Sequence, residues 1–144
     1  MMNRYEEKLA DLAPRIMGAF HSVGKRHAEH EQLTMRQFQA LVIVNTSENL
    51  SISAFCEKLG LAASTGTELA NRMIASGYFA KQSESPDKRQ VYLKVTPHGL
   101  QALELRKRDM IDLFARLIEP MSAEERQTFA EAFDTIWKII SRYY

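Results

Sequence analysis

The strongest constraint on the fold lies between Leu50 and Thr96, in LSISAFCEKLGLAASTGTELANRMIASGYFAKQSESPDKRQVYLKVT. Ser53 is a suitable N-cap for a short helix over Ala54–Leu59, since its hydroxyl can accept from an otherwise orphaned N–H of the first turn. Gly60 supplies the left-handed residue that ends such a helix, with Leu61 folding back as its apolar contact. A second helix follows to about Ser76 and carries Leu69, Met73 and Ile74 inward. Gly77 closes it, and Tyr78 and Phe79 open a strand. In VYLKV, Val91, Leu93 and Val95 face one way and Tyr92 and Lys94 the other, the period of a half-buried strand. Between the strands the polar tip SPDKRQ carries turn chemistry in Pro86-Asp87.

Helix, turn, helix and two-stranded hairpin together read as a winged helix-turn-helix, and the flanks read as helices. Residues 3–29 form an amphipathic helix with Tyr5, Leu9, Leu12, Ile16, Phe20 and Val23 at spacings of three and four, interrupted at Pro14 where a kink or a frayed turn is expected. Thr34 and Gln37 make a capping box for a second helix through Phe38, Leu41, Val42 and Val44, with Leu33 and Phe38 placed as a hydrophobic staple. Leu50-Ser51-Ile52 is a candidate short strand. Thr96-Pro97 starts a helix that Pro120 ends, and Ser122 with Glu125 caps a last one that runs to Tyr144. The last helix presents Phe129, Phe133, Ile136, Trp137 and Ile140, with Tyr143 and Tyr144 beyond, a face too aromatic for a solvated tail. The expected class is mainly α with a small β wing, one domain over 1–144. Residues 3–29 and 100–144 are expected to serve as dimerisation helices, and 33–98 as the winged helix-turn-helix lobe.

Composition narrows the function classes. The chain has 144 residues, 45% hydrophobic and 26% charged, which is globular. No apolar run reaches membrane-spanning length, and MMNRYEEKLADL lacks the pattern of a signal peptide. One cysteine, Cys56, excludes an internal disulfide and fits a cytoplasmic protein. Net charge is only +1, but residues 51–99 hold six Lys/Arg against four acids, a slight basic bias compatible with phosphate contact. There is no glycine-rich phosphate loop, no HExxH and no nucleophile elbow, so an enzyme is not expected and no cofactor is implied.

The second helix of a helix-turn-helix lies in the major groove with its N-terminal side chains on base edges. Here the candidates are Ser64, Thr65, Thr67, Glu68, Asn71 and Arg72, joined by Arg36 and Gln37 at the start of the preceding long helix. Hydroxyls serve both phosphates and bases; they also simply start helices, and the two readings weigh evenly. Lys88 and Arg89 stand at the wing tip, where a core has no use for them, and an arginine there can enter a narrow minor groove. Asp87 cannot favour phosphate, so it is expected to accept hydrogen bonds within the wing or pair an arginine.

The order of elements, with LTMRQF, KLGLAAST, RMIASGYFAKQ, the triplet Asp87-Lys88-Arg89 and LKVTPHG, resembles the MarR (multiple antibiotic resistance regulator) family across essentially the whole chain. The resemblance implies a homodimer with intertwined first and last helices (Tyr5, Leu9, Leu12, Ile16, Phe129, Phe133, Ile136, Trp137, Ile140) and a pseudo-palindromic operator in double-stranded DNA. It implies Arg89 as the minor-groove arginine, oriented by Asp87. It further implies a repressor released by a small aromatic or phenolic effector, with Arg15, Phe20 and His21 as candidate pocket residues. Three departures bear on operator affinity: Ala62 and Ala63 in place of a capping serine and a basic residue, Gly66 inside the recognition helix, and Glu68. Gly66 is expected to cost roughly 1 kcal/mol relative to alanine. The alternatives are a dimeric ligand- or protein-binding scaffold with weak DNA affinity, or a zinc-responsive regulator using His27, His30 and Glu31. A metal is disfavoured because such a site wants three or four ligands. Cys56 reads as a buried inert thiol, and Arg106 to Arg108 as part of a wet, ion-paired helix face.

Overall fold

The computed structural model describes residues 4–25, 33–82, 87 and 89–144. Their elements are α1 (Arg4–Lys25), α2 (Met35–Asn45), β1 (Leu50–Ser51), α3 (Ile52–Leu59), α4 (Ala63–Ala75), β2 (Phe79–Lys81), β3 (Tyr92–Val95), α5 (Pro97–Ile118) and α6 (Ala123–Ile140). The fold is mainly helical with one small antiparallel sheet in the order β1-β3-β2, the winged helix-turn-helix expected from the sequence. The chain divides into two compact units, residues 29–109 and residues 1–28 with 110–144.

In the 29–109 unit, local capping sets the helices. Thr34 Oγ1 accepts from Gln37 N at 3.2 Å while Gln37 Oε1 accepts from Thr34 N at 2.9 Å, the reciprocal box that starts α2. The cap of α3 differs from the sequence reading. Ser51, not Ser53, accepts from Ala54 N at 3.1 Å, because β1 runs straight into the helix. Ile52 still donates to Val91 O at 3.0 Å, so strand pairing holds Ser51 in the extended geometry that a cap needs. At the other end Gly60 takes φ 64°, ψ 32°, and Leu61 N reaches Cys56 O at 3.0 Å, which satisfies the last carbonyls of α3.

These elements close over one core of Ala40, Leu41, Val44, Leu50, Phe55, Cys56, Leu69, Ala70, Met73, Phe79, Leu93 and Leu103. Phe55 and Phe79 meet edge to face with centroids 5.9 Å apart, joining α3 to the sheet. The sheet register pairs Leu50 with Leu93 and Phe79 with Val95, so Phe79, Leu93 and Leu50 share the inward face. Val91, expected to face inward with Leu93 and Val95, falls before β3 and is exposed, while its carbonyl accepts from Ile52 N.

In the other unit α1 runs through Pro14 as one helix, and Ser122 with Glu125 starts α6 with a second capping box (2.8 and 3.1 Å). The last helix ends at Ile140 rather than at Tyr144; the Ser141, Arg142 and Tyr143 amides instead close turns onto Trp137, Ile139 and Ile140 carbonyls. Phe20, Phe114, Phe129 and Phe133 form an aromatic cluster with centroid separations between 5.2 and 6.0 Å. Around it the expectation of a buried aromatic face on α6 is not met within one chain: Trp137 is 67% exposed and Leu9 on α1 is 65% exposed. No described residue of this unit is buried. Among the described residues no helix is long and apolar enough to cross a membrane.

Candidate nucleic-acid interface

The outward face of α4 is built by what its inward face needs. Gly66, Leu69, Ala70 and Met73 are buried, so Ser64, Thr65, Glu68, Asn71 and Arg72 are turned to solvent and Thr67 is half-buried. Gly66 packs directly against Cys56 of α3. A Cβ there would lie 3.0 Å from Cys56 Cβ and 3.3 Å from Cys56 Cα, and nearer still to Cys56 Sγ. The glycine is therefore a packing requirement, whereas sequence reasoning treated it as a weakness in the helix. Cys56 is buried at that contact, with Sγ 3.9 Å from Ala63 O. Ala62 stands at the N-cap of α4 and offers no side-chain hydrogen bond. On the exposed face Arg72 Nη2 lies 4.0 Å from Glu68 Oε1.

The wing carries its arginine in a held posture. Asp87 Oδ1 accepts from the Arg89 backbone N–H at 3.0 Å and lies 3.4 Å from Arg89 Nε, while the Arg89 side chain is 92% exposed. One carboxylate oxygen thus shapes the turn and orients the guanidinium. Lys88 lies outside the described residues, as do His27, His30 and Glu31. Among the described residues no group of three or more His, Cys, Asp and Glu is placed to hold a metal ion.

The root of the wing is fastened by Thr96. Its Oγ1 donates toward the Gly77 and Tyr78 carbonyls and accepts from Gly99 N at 3.0 Å, which caps α5. Thr96 N also donates to Tyr78 O at 3.0 Å. Gly99 is buried directly against this turn: a Cβ would crowd Tyr78 O and come within 2.7 Å of Val95 Cγ1. The Thr-x-x-Gly pattern therefore has a steric reason. Tyr78 stacks on His98 at 5.0 Å, completing the junction.

The remaining sequence candidates are dispersed. Arg36 is exposed near the start of α2, and Gln37 is half-buried with its Oε1 committed to the capping box. Arg15 is exposed and lies 3.6 Å from Asp11; His21 is exposed; Phe20 belongs to the aromatic cluster. Tyr5, Leu9, Leu12 and Ile16 on α1 and Phe133, Ile136, Trp137 and Ile140 on α6 are all exposed, and Phe129 is half-buried.

Two features escaped sequence reasoning. Arg106 does not sit on a wet face: its guanidinium stacks 5.9 Å over the Phe38 ring, and its enclosed Nε has no hydrogen-bond partner among the described residues. Its neighbour Lys107 does pair along the helix, 4.0 Å from Glu104. A cavity of about 540 Å³ opens between the end of α2, the 46–49 loop and β3, lined among others by Asn45, Glu48, Asn49, Gln82 and Lys94. Gln82 Nε2 donates to Asn49 Oδ1 at 3.0 Å there, with Asn49 in the left-handed region at φ 51°. A run of polar residues such as Thr46 to Asn49 gives no sequence signal for the cavity.

Comparison with known proteins bears on the family and the fold. The family model described as MarR family matches residues 31–90. The HTH-type transcriptional regulator TtmR of Methylorubrum extorquens (strain PA1) is 31% identical over 87 residues, 58% of this chain and 45% of that protein. The chain spans about half the length of the first curated relatives it matches, 46% and 45%. A MarR family protein from Bacillus stearothermophilus has a similar structure at 25% identity, with a TM-score of 0.75 over 98% of this chain and 99% of that one. FabT of Streptococcus pneumoniae, solved in complex with DNA, shares the fold at 18% identity, with a TM-score of 0.67 over 98% of each chain.

Proposed function

We propose that this chain, which matches the MarR family model over residues 31–90, is a MarR family transcriptional regulator that works as a homodimeric repressor of a pseudo-palindromic operator, released by a small aromatic or phenolic effector. One observation carries the DNA arm of this reading. Arg89 is almost wholly exposed, with its backbone N–H held by Asp87 and its guanidinium beside the same carboxylate, a posture with no use in a core. The uncapped, outward face of α4 supplies the second element, with hydroxyls, an amide and a guanidinium facing solvent. Affinity would come mainly from phosphate neutralisation, and specificity from α4 side chains in the major groove and Arg89 in the minor groove. FabT, of the same fold, was solved on DNA, which supports this use of the lobe.

The dimer arm rests on the uncovered apolar faces of α1 and α6. Leu9, Ile16, Ile136 and Trp137 stand exposed in the single chain, and each square ångström of such surface removed from water is worth about 25 cal/mol. Two lobes on a two-fold axis would meet half-sites about one helical turn apart, ~34 Å. The effector would act by preferring the lobe spacing that mismatches DNA, a shift of populations.

A mobility-shift titration against the intergenic DNA beside the chain's own reading frame tests the DNA arm. Arg89→Ala should weaken the specific shift and lower the slope of log affinity against log salt by about 1. Unchanged affinity and slope would overturn the wing assignment.

A further inference from the structure

Glu68 is the one acid on α4, and the packing of the helix leaves it no way out of the reading face. At about 100° per residue, the buried residues Gly66, Leu69, Ala70 and Met73 define a line, and Glu68 falls within about 30° of the direction opposite to it. Ser64 and Asn71 flank it on the same exposed strip. Any duplex that meets this face meets the carboxylate. The Arg72 guanidinium is 4.0 Å away, with both side chains about two-thirds exposed (67% and 70%). A pair in that much water contributes well under 1 kcal/mol and opens readily. The contact presents two groups side by side without locking them together.

Base chemistry then separates what the two groups can accept. In the major groove guanine offers acceptors alone, as does thymine beside its methyl group, so both repel a carboxylate. Adenine offers an amino donor next to the N7 acceptor, whereas cytosine offers its N4 amino group without an acceptor of its own beside it. A guanidinium has the opposite preference and takes guanine O6 and N7 as a bidentate partner. Residues one helical turn apart are separated by about 5.4 Å along the axis, and base pairs by about 3.4 Å, so the two contacts fall one or two base pairs apart.

Resting on the DNA-binding reading above, we propose that Glu68 is a specificity-determining residue that selects cytosine, with Arg72 reading a guanine one or two steps away, in each half-site. The self-neutralising pair adds selectivity while contributing little to non-specific attraction for phosphate. That balance suits a chain of net charge +1.

Selection from a random duplex library with the protein and its Glu68→Gln and Glu68→Ala variants tests this. The wild type should enrich cytosine at one position per half-site by roughly 5- to 150-fold over the next base. Glu68→Ala should level that position, and Glu68→Gln should move its preference to adenine, the base that glutamine reads. If Glu68→Ala keeps the cytosine preference and binds all sequences more tightly, Glu68 is only a repulsive charge and the proposal fails. If even the wild type selects no sequence, the DNA-binding reading itself fails, which is a separate outcome.

Discussion

Replacing Gly66 with alanine sets two effects of opposite sign against each other. Intrinsic helix preference favours the change by about 1 kcal/mol. Packing opposes it, because the new Cβ would lie 3.0 Å from Cys56 Cβ and 3.3 Å from Cys56 Cα, with Sγ closer still. Cys56 is buried and its Cα is fixed in α3, so relief requires one helix to move away from the other. Overpacking of this kind costs about 1–3 kcal/mol. The net expectation is a destabilisation of up to about 2 kcal/mol, where an open helix position would gain about 1. Cys56→Ala removes Sγ, so the double variant should recover part of the loss, with a coupling energy of about 0.5–3 kcal/mol. Urea unfolding of the four proteins at one fixed concentration measures this, since association would add a concentration-dependent contribution. A Gly66→Ala protein more stable than the wild type, with the two substitutions additive, would refute the close-approach argument.

Two further outcomes follow from described contacts. Thr96→Val keeps the shape of the side chain but leaves Gly99 N and the Gly77 carbonyl without their partner, and should cost about 1–3 kcal/mol in the same unfolding assay. Trp137→Asp, or Leu9→Asp on α1, should shift the protein from dimer to monomer in sedimentation equilibrium at micromolar concentration; an unaltered dimer would remove those faces from the interface.

Much of this architecture was legible because helix ends are local. Thr34 with Gln37, Ser122 with Glu125, and Gly60 each act within four residues, so sequence spacing alone finds them. The misreading of Ser53 for Ser51 arose where two serines flank one isoleucine, and strand pairing to Val91 made the choice. Gly66 could not be read correctly, because it is fitted to a neighbour, Cys56, brought in by tertiary packing; the steric reason for Gly99, its contact with Tyr78, likewise needed the coordinates. Arg106 failed for the same reason: periodicity gave its place on α5 but not the Phe38 ring beneath it. The α4 face was legible as a list of outward residues. The pairing of Glu68 with Arg72 became visible only with coordinates, since i, i+4 spacing permits such a contact without requiring it.

The Thr96 fastening has an evolutionary consequence. By tying the Gly77 and Tyr78 carbonyls to the start of α5, it closes the wing at its root, so the lobe's frame does not depend on how many residues lie between β2 and β3. Lengthening a closed loop is cheap, about 0.6 kcal/mol for each doubling. Insertions and substitutions in that segment can therefore accumulate with little effect on α4 or the core. The reach and chemistry of the wing tip, to which we assign the minor-groove contact, can drift from one descendant to the next while α4 keeps its seat.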